Sequence, residues 1–430
     1  MFEMGNTFSS ELGVIPVNWQ VKRFDSLFTV QQGKQVSKST RIGGNQRIFL
    51  RTKNVFWGRL DLTNLDAMHF TEAEEKRLSL EPGDLLICEG GDIGRTAIWQ
   101  GELASCYYQN HIHRARLRDE SGDSRFVLYW LWYAFEVASI YFGRGNVTTI
   151  PNLSQSKLCE LPLPLPPLPE QRKIADVLGL VQRAIEQQER LIQLTTELKK
   201  TLMHKIFTQG LQGEPQKETE IGPVPESWEI VPLSDGVSIK NGQVDPKVTP
   251  FREMIHVGPE NIESHTGRLI NLRSNGELRI SSGNYHFTND DILYSKIRPY
   301  LNKVALPDFE GTCSADMYPL RPKAGQFVRG CLFQLLLSDT FNKQAVSQQD
   351  RTGIPKVNRV QLGSILLPKP SLSEQVDIAG SLALFDQRID QRLRKHVALS
   401  DLFLTLLHQL MTAQIRIHDL DFQEITATTI

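Results

Sequence analysis

The chain has 430 residues, 40% of them hydrophobic and 23% charged, with a formal net charge of −1. That length calls for two or more domains, and that balance is ordinary for a folded protein, which sets aside a disordered chain and a uniformly basic nucleic-acid binder. No apolar run reaches the ~20 residues that span a bilayer, the first residues lack a signal-peptide pattern, and the five cysteines show no C-x-x-C spacing, so a soluble, cytoplasmic chain without a zinc or disulfide framework is expected.

In chain order, the first landmark is GVIPVNWQV at 13–21. A charge imbalance follows: residues 21–59 carry nine Lys/Arg against Asp25, and residues 60–92 carry nine Asp/Glu against Lys76 and Arg77. A basic segment of this kind can face phosphates without a high overall pI, although a solvated charged face reads the same way. Short apolar runs broken by Gly, Asn, Asp and Pro come next, among them RIFLRTKNVF, DLLICEG and TAIWQGEL. These predict strands and turns around a single sheet, and FVLYWLWYAFEVASIYF at 126–142 predicts a helix.

At 161–178 the sequence LPLPLPPLPEQRKIADVL passes from alternating proline to helix formers. Proline removes a donor and restricts its predecessor, so the first part is extended and forms a stiff exit from the globular part. From Glu170 to about Phe207 only Gly179 opposes a helix.

The whole layout then repeats. GPVPESWEI at 222–230 matches the first landmark at a spacing of 209, as do Gly242 with Gly33 and Gly267-Arg268-Leu269 with Gly58-Arg59-Leu60. NDDILYS at 289–295 resembles PGDLLIC at 82–88, Thr312-Cys313 pairs with Ser105-Cys106, and residues 327–346 form the second helix-like stretch. ILLPKPSLSEQVDIAGSL at 365–382 repeats the proline segment at a spacing of 204, with Ser371 placed to cap a helix through Glu374. Shared framework with divergent filling is what two copies of one fold show when they contact different things.

Apolar residues at Ile174, Leu178, Val181, Ile185, Leu202 and Ile206 match Ile378, Leu382, Phe385, Ile389, Leu406 and Leu410 in the second helix, while Ile192 in the first seam has His396 at its place in the second. This stepping is a coiled-coil seam. Two helices of about 38 residues, each about 55–60 Å long, are expected to pair antiparallel as a spacer. The alternative is that each packs on its own domain. The fold class expected is α+β: two α+β domains joined by two long helices in an antiparallel coiled coil, with an internal pseudo-two-fold repeat. The boundaries are 1–165, 166–212, 213–368 and 369–430.

The order IPxxW, variable domain, Ile-Pro-Asn at 150–152, PLPEQRKIA and a long helix, all repeated with PSLSEQVDIA, closely resembles the DNA-specificity subunit of type I restriction–modification systems. The resemblance covers nearly the whole chain. The second copy departs from it at Ser373 before the Glu and at Lys356 after Ile354-Pro355. It implies a non-catalytic chain in which each domain reads one half of a split double-stranded DNA target. It further implies two methyltransferase subunits docked on the helices, restriction/translocase subunits in the full complex, and S-adenosylmethionine, ATP and Mg held by those partners.

The residues agree that chemistry is missing. There is no D/N-P-P-Y/F tetrapeptide and no G-x-x-x-x-G-K-S/T, hence neither an adenine-methylating site nor a phosphate loop for ATP. Pro82-Gly83-Asp84…Glu89 faintly resembles a nuclease carboxylate pair, but Gly91 stands where its lysine is expected. His111 and His113 lack a third metal ligand at a supporting spacing. A self-contained DNA-modifying or cleaving enzyme with an unrecognised site remains the alternative.

For DNA contact, Arg reads guanine, Asn or Gln reads adenine, and Lys, Ser and Thr serve phosphates. The first-domain candidates are Arg51, Lys53 and Asn54, Arg95 in the Gly-rich loop 89–95, and Arg144, Asn146 and Thr148. The second-domain candidates are Asn261, Lys296, Arg298, Tyr300, Asn302 and Arg351. Trp19 and Trp228 are expected in the core, with Cys106 and Cys313 as equivalent buried positions.

Overall fold

Alternating prolines shape the end of each globular part. In the computed structural model, which describes residues 7–10, 12–141, 152–349 and 353–417, Pro162–Leu165 is a strand antiparallel to Gln20–Arg23, and Leu366–Lys369 lies likewise against Glu229–Pro232. Proline cannot donate to a ladder, so spacing two prolines by two puts both missing donors on one unpaired edge. The expected stiff exit is therefore half of a two-stranded ribbon that ties the IPxxW segment to the start of a long helix.

The chain divides into two compact units, residues 1–188 with 395–430, and residues 189–394. In the first unit, the principal strands are β1 (Phe28–Gln32), β2 (Gln46–Leu50), β3 (Asp66–His69), β4 (Leu85–Cys88), β5 (Thr96–Ile98), β6 (Tyr107–Tyr108) and β7 (Ile112–Leu117). They form two sheets, ordered β5-β4-β7-β1 and β6-β2-β3, where a single sheet was expected. The reason lies in β4, which is buried on both faces: Leu85 and Ile87 join a core with Phe28, Ala115 and Phe126, while Leu86 and Cys88 join another with Phe49, Leu50 and Ile112. A strand between two cores needs no polar face, hence its unbroken apolar run.

The second unit repeats the plan with β8 (Val237–Ile239), β9 (Gln243–Val244), β10 (Ile255–Val257), β11 (Arg273–Ser274), β12 (Asn284–Phe287), β13 (Ile292–Ser295), β14 (Val304–Ala305), β15 (Gly311–Cys313) and β16 (Met317–Pro322). Its sheets run β8-β16-β13-β14 and β9-β12-β15-β10-β11. Here too, Ile292 and Tyr294 face one core and Leu293 the other. Hydrogen bonds correct one equivalence. Gln109 N donates to Leu50 O at 3.0 Å, and Ser314 N to Val257 O at 3.0 Å. Cys313 therefore takes the place of Tyr108, not of Cys106. All three residues are buried.

The helix-like stretches are Ser124–Trp132, continued by a π turn at Tyr133–Val137, and the pair Arg329–Leu337 and Asp339–Ser347. The long helices are Leu168–Gln209 and Leu372–Met411, 42 and 40 residues, continuous through Gly179 and Gly380. Both packings considered above occur together. In the first unit, Ile174, Leu178 and Val181 share one core with the domain's Phe126 and Tyr129 and with Phe403, Leu406 and Leu410 of the other long helix. In the second, Ile378 and Leu382 share a core with Leu332 and Leu336 and with Met203, Ile206 and Phe207. Within each unit the helices thus run antiparallel, the start of one against the end of the other.

The Glu-Gln pair of each motif explains the attachment. Gln171 is 1% exposed; it accepts from Asp123 N at 3.0 Å and donates to Pro166 O at 2.8 Å. Gln375 is 0% exposed; it accepts from Val328 N at 2.7 Å and donates to Pro370 O at 2.9 Å and Gln326 O at 3.1 Å. Asp123 and Val328 are the cap residues of the domain helices, so one buried amide in each copy locks long helix to domain. Ser371 accepts from Glu374 N at 3.3 Å as expected, but the Glu374 carboxylate is used elsewhere, accepting from Trp228 Nε1 at 2.9 Å.

Candidate nucleic-acid interface

In the second unit, the loop after β13 is held by the segment around Ile354-Pro355. Val357 N donates to Lys296 O at 2.9 Å, Arg298 N donates to Pro355 O at 2.7 Å, and Ile297 bridges Lys356. Sequence separates these pieces by some sixty residues, and the fold brings Lys296, Arg298 and Lys356 onto one edge. Arg298 adopts φ 47°, a left-handed conformation costly for a side chain with Cβ, and the bond to Pro355 holds it there. Its side chain is exposed and has no ion pair among the described residues. Tyr300 is 47% exposed beside it. Lys296 lies 3.8 Å from Asp316 and 5.6 Å from the Tyr318 ring centre.

The first unit has the same construction with other side chains. Leu153 N donates to Glu89 O at 2.8 Å, so the Gly-rich loop 89–95 occupies the place of the Lys296 loop. It is a hairpin between β4 and β5, turning through Gly91 (φ 80°) and Gly94 (φ 81°), where a Cβ at residue 94 would come within 2.4 Å of the Phe135 ring. Glu89 lies 3.6 Å from His111, at the places of Lys296 and Asp316. Arg95 pairs with Asp92, donates to Thr52 O at 2.6 Å and lies over Phe56 at 5.2 Å. Its side chain is only 15% exposed, so it anchors the loop more than it reaches outward.

Four of the nine basic residues of segment 21–59 pair with the acidic segment that follows it. Lys34 pairs with Glu74, Arg47 with Glu75, and both Arg51 (2.9 Å) and Lys53 (3.6 Å) with Asp66. The hydrogen bond from Arg51, aided by the charge of Lys53, holds the Asp66 carboxyl below its usual range against partial burial. Arg51 and Lys53 keep side chains 42% and 46% exposed, so these pairs are screened by solvent and weak. Lys38 and Arg41 stand unpaired, among the described residues, on the exposed helix Lys38–Ile42.

Three candidates are corrected by burial. Asn54 is 2% exposed and ties its own turn, accepting from Arg51 N at 3.0 Å and donating to Asp61 O at 3.0 Å and Asn64 O at 3.2 Å. Asn261 does the same in the second copy, with Gly258 N at 2.9 Å and Ile270 O and Asn271 O at 3.1 Å. Asn302, 1% exposed, donates to Leu337 O at 3.0 Å. An asparagine whose amide closes a buried turn cannot present that amide to a base edge. Arg144, Asn146, Thr148 and Arg351 lie outside the described residues.

The residues that faintly resembled chemistry have structural work. Asp84, 1% exposed, receives Arg116 Nε and Nη2 at 2.7 Å each and Glu81 N at 2.7 Å. Asp291, 0% exposed, is its counterpart, with Lys240 at 2.7 Å, Arg321 Nε at 2.8 Å and Thr288 N at 2.8 Å. Burial alone would raise the Asp291 carboxyl; the bonds from Lys240, Thr288 and Arg321 outweigh it and hold the group below its ordinary range. His113 is buried with Nε2 2.9 Å from Leu153 O, and burial lowers its pKa. Burial pushes the Cys88 thiol up to about 11 and those of Cys106 and Cys331 to about 12, far from a reactive thiolate. Among the described residues, no group of three or more His, Cys, Asp or Glu is placed to hold a metal ion.

Sequence reasoning passed over Arg359 and Gln155, which follow Ile-Pro by a few residues in each copy. The repeat spacing of 204 would have paired them.

Comparison with known proteins places this architecture. The type I restriction modification DNA specificity domain matches twice, over residues 16–196 and 225–398. The specificity subunit of the Escherichia coli type I restriction enzyme EcoDI is 30% identical over 274 residues, spanning 58% of this chain and 60% of that protein. The specificity subunit of the Methanocaldococcus jannaschii type I restriction enzyme MjaVIII is 24% identical over 431 residues, 95% of each chain. The fold is similar to that of the S subunit of a type I restriction–modification system from M. genitalium, with 18% identity, a TM-score of 0.59, and coverage of 91% of this chain and 96% of that one. With two matched copies filling most of its length, the chain belongs to the type I restriction–modification DNA specificity family.

Proposed function

We propose that this chain is the non-catalytic, sequence-reading subunit of a type I restriction–modification complex. It binds a bipartite, asymmetric double-stranded DNA target, one half-site per domain, with domain boundaries near 165, 212 and 368. Two methyltransferase subunits dock on the long helices, restriction/translocase subunits complete the complex, and S-adenosylmethionine, ATP and Mg belong to those partners. Arg51 and Lys53 in the first domain, and Lys296, Arg298 and Tyr300 in the second, are the described residues put forward for DNA contact.

The observation that carries this reading is one framework built twice with different side chains at equivalent edges. Here the repeated groups are structural (Asp84 and Asp291, Gln171 and Gln375), and the exposed ones differ. The test is to mix the purified chain with DNA, Mg²⁺ and S-adenosylmethionine. Salt-sensitive, sequence-dependent binding without cleavage or methylation is expected; turnover by the chain alone contradicts it.

A further inference from the structure

Gln155 and Arg359 are equivalent by the 204-residue spacing, and the fold gives them one shared bond. Gln155 Nε2 donates to Val30 O at 2.9 Å, and Arg359 Nη1 donates to Ile239 O at 3.2 Å. Val30 and Ile239 are themselves equivalent, at the spacing of 209 set by Gly33 and Gly242. Both side chains thus reach back to the same strand carbonyl from the first turn after the Ile-Pro segment, where Ser154 and Asn358 are the cap residues.

The bond is common and the remaining polar edge differs. The Arg359 guanidinium lies over Tyr318 at 4.6 Å and Tyr285 at 5.6 Å. Two rings and a carbonyl fix its plane, while Nε and Nη2 have no partner among the described residues and are not sealed from solvent. A fork held in this way loses little freedom on binding and matches O6 and N7 of guanine. Gln155 is exposed, and beyond its bond to Val30 it keeps Oε1 and one N–H, the pair that matches N6 and N7 of adenine. Lys296 lies over the same Tyr318 ring as Arg359, and Lys356 bridges Ile297 beside it, so the Arg359 edge carries further basic groups of the kind that serve phosphates.

Resting on the reading of the chain as a DNA-specificity subunit, we infer that Arg359 and Gln155 are specificity-determining residues at equivalent places of the two half-sites. Arg359 reads a guanine in the half-site of the second domain, and Gln155 an adenine in that of the first.

The test is selection from a randomised duplex library by the chain assembled with its partner subunits, for the unaltered protein and for Arg359→Gln, Arg359→Lys and Gln155→Arg. Arg359→Gln is expected to exchange one selected guanine for adenine in one half-site, with discrimination changed about 5- to 150-fold. Arg359→Lys keeps the charge but loses the fork, so salt-dependent affinity persists while that preference fades. Gln155→Arg exchanges adenine for guanine in the other half-site only. Unchanged selection by Arg359→Gln and Arg359→Lys, with folding verified by circular dichroism, overturns the assignment of Arg359 while leaving the subunit reading intact. If those variants do not fold, unchanged selection by Gln155→Arg overturns the paired assignment. A library from which the unaltered complex selects no sequence sinks the reading and the inference together.

Discussion

Trp228 Nε1 donates to Glu374 Oε2 at 2.9 Å, joining the tryptophan that opens the second copy to the glutamate that starts its long helix. The first copy keeps both residues and breaks the bond. Glu170 instead receives Arg416 Nε and Nη2 at 3.1 Å each, and the buried Trp19 Nε1 has no hydrogen-bond partner among the described residues. Glu374→Ala therefore orphans a buried indole and is expected to lower stability by about 1–3 kcal/mol, measured by chemical denaturation. An unchanged midpoint would show that the bond contributes nothing.

A second asymmetry lies where the long helices meet each domain. In the first unit, Trp57 stacks on Trp132 at 5.6 Å, and Phe403 packs on Trp132 at 4.8 Å. Repeat spacing places Thr266 and Lys199 at the positions of Trp57 and Phe403, the helix caps Asp123 and Val328 align Leu337 with Trp132, and all three line a cavity of about 420 Å³. Leu337→Trp restores one ring to that space and is expected to raise stability by about 0.5–2 kcal/mol. A lower melting temperature would mean that the cavity wall cannot accept the ring.

Asp291 supplies a pH dependence. Its folded-state pKa lies below the unfolded value of about 3.9, so its stabilisation is fully present above that value and is lost as pH falls through the folded pKa. Acid titration of stability should show a loss beginning near pH 4 that Asp291→Asn lacks. That variant should also be weaker at pH 7 by about 3–5 kcal/mol, because Lys240 and Arg321 keep their charges without their shared anion. An identical acid limb in both proteins would contradict the assignment.

The duplication, the long helices and the buried tryptophans were legible because they repeat with fixed spacing or obey a period. The second sheet of each domain was not. Leu85–Cys88, buried on both faces, gives a continuous apolar run that carries no alternation to reveal two cores. Equivalence of Cys313 with Tyr108 was hidden because the copies differ in loop length, and only the matching bonds of Gln109 and Ser314 set the register. Asn54 and Asn261 show a different limit: an asparagine that closes a turn and one that reads adenine are the same letter in the same polar setting. Nor does sequence reveal that Glu74, Glu75 and Asp66 pair with Lys34, Arg47, Arg51 and Lys53 of the basic stretch before them, since that depends on which strands become neighbours.

Arg298 is exposed and held by its backbone, so truncation should leave the fold intact while removing one phosphate neighbour. Arg298→Ala is expected to weaken DNA binding similarly across sequences and to reduce the salt slope by about one. Loss of sequence preference with an unchanged slope would identify Arg298 as a base reader instead.

The central claim is that two readers each recognise their own half of one target. The most direct measurement is the map of methylated positions in DNA from cells carrying the chain and its partner subunits, before and after residues 10–160 are exchanged for another family member's domain. The account predicts a split site in which the exchange rewrites one half and preserves the other. A single uninterrupted site, or an exchange that alters both halves, would contradict it.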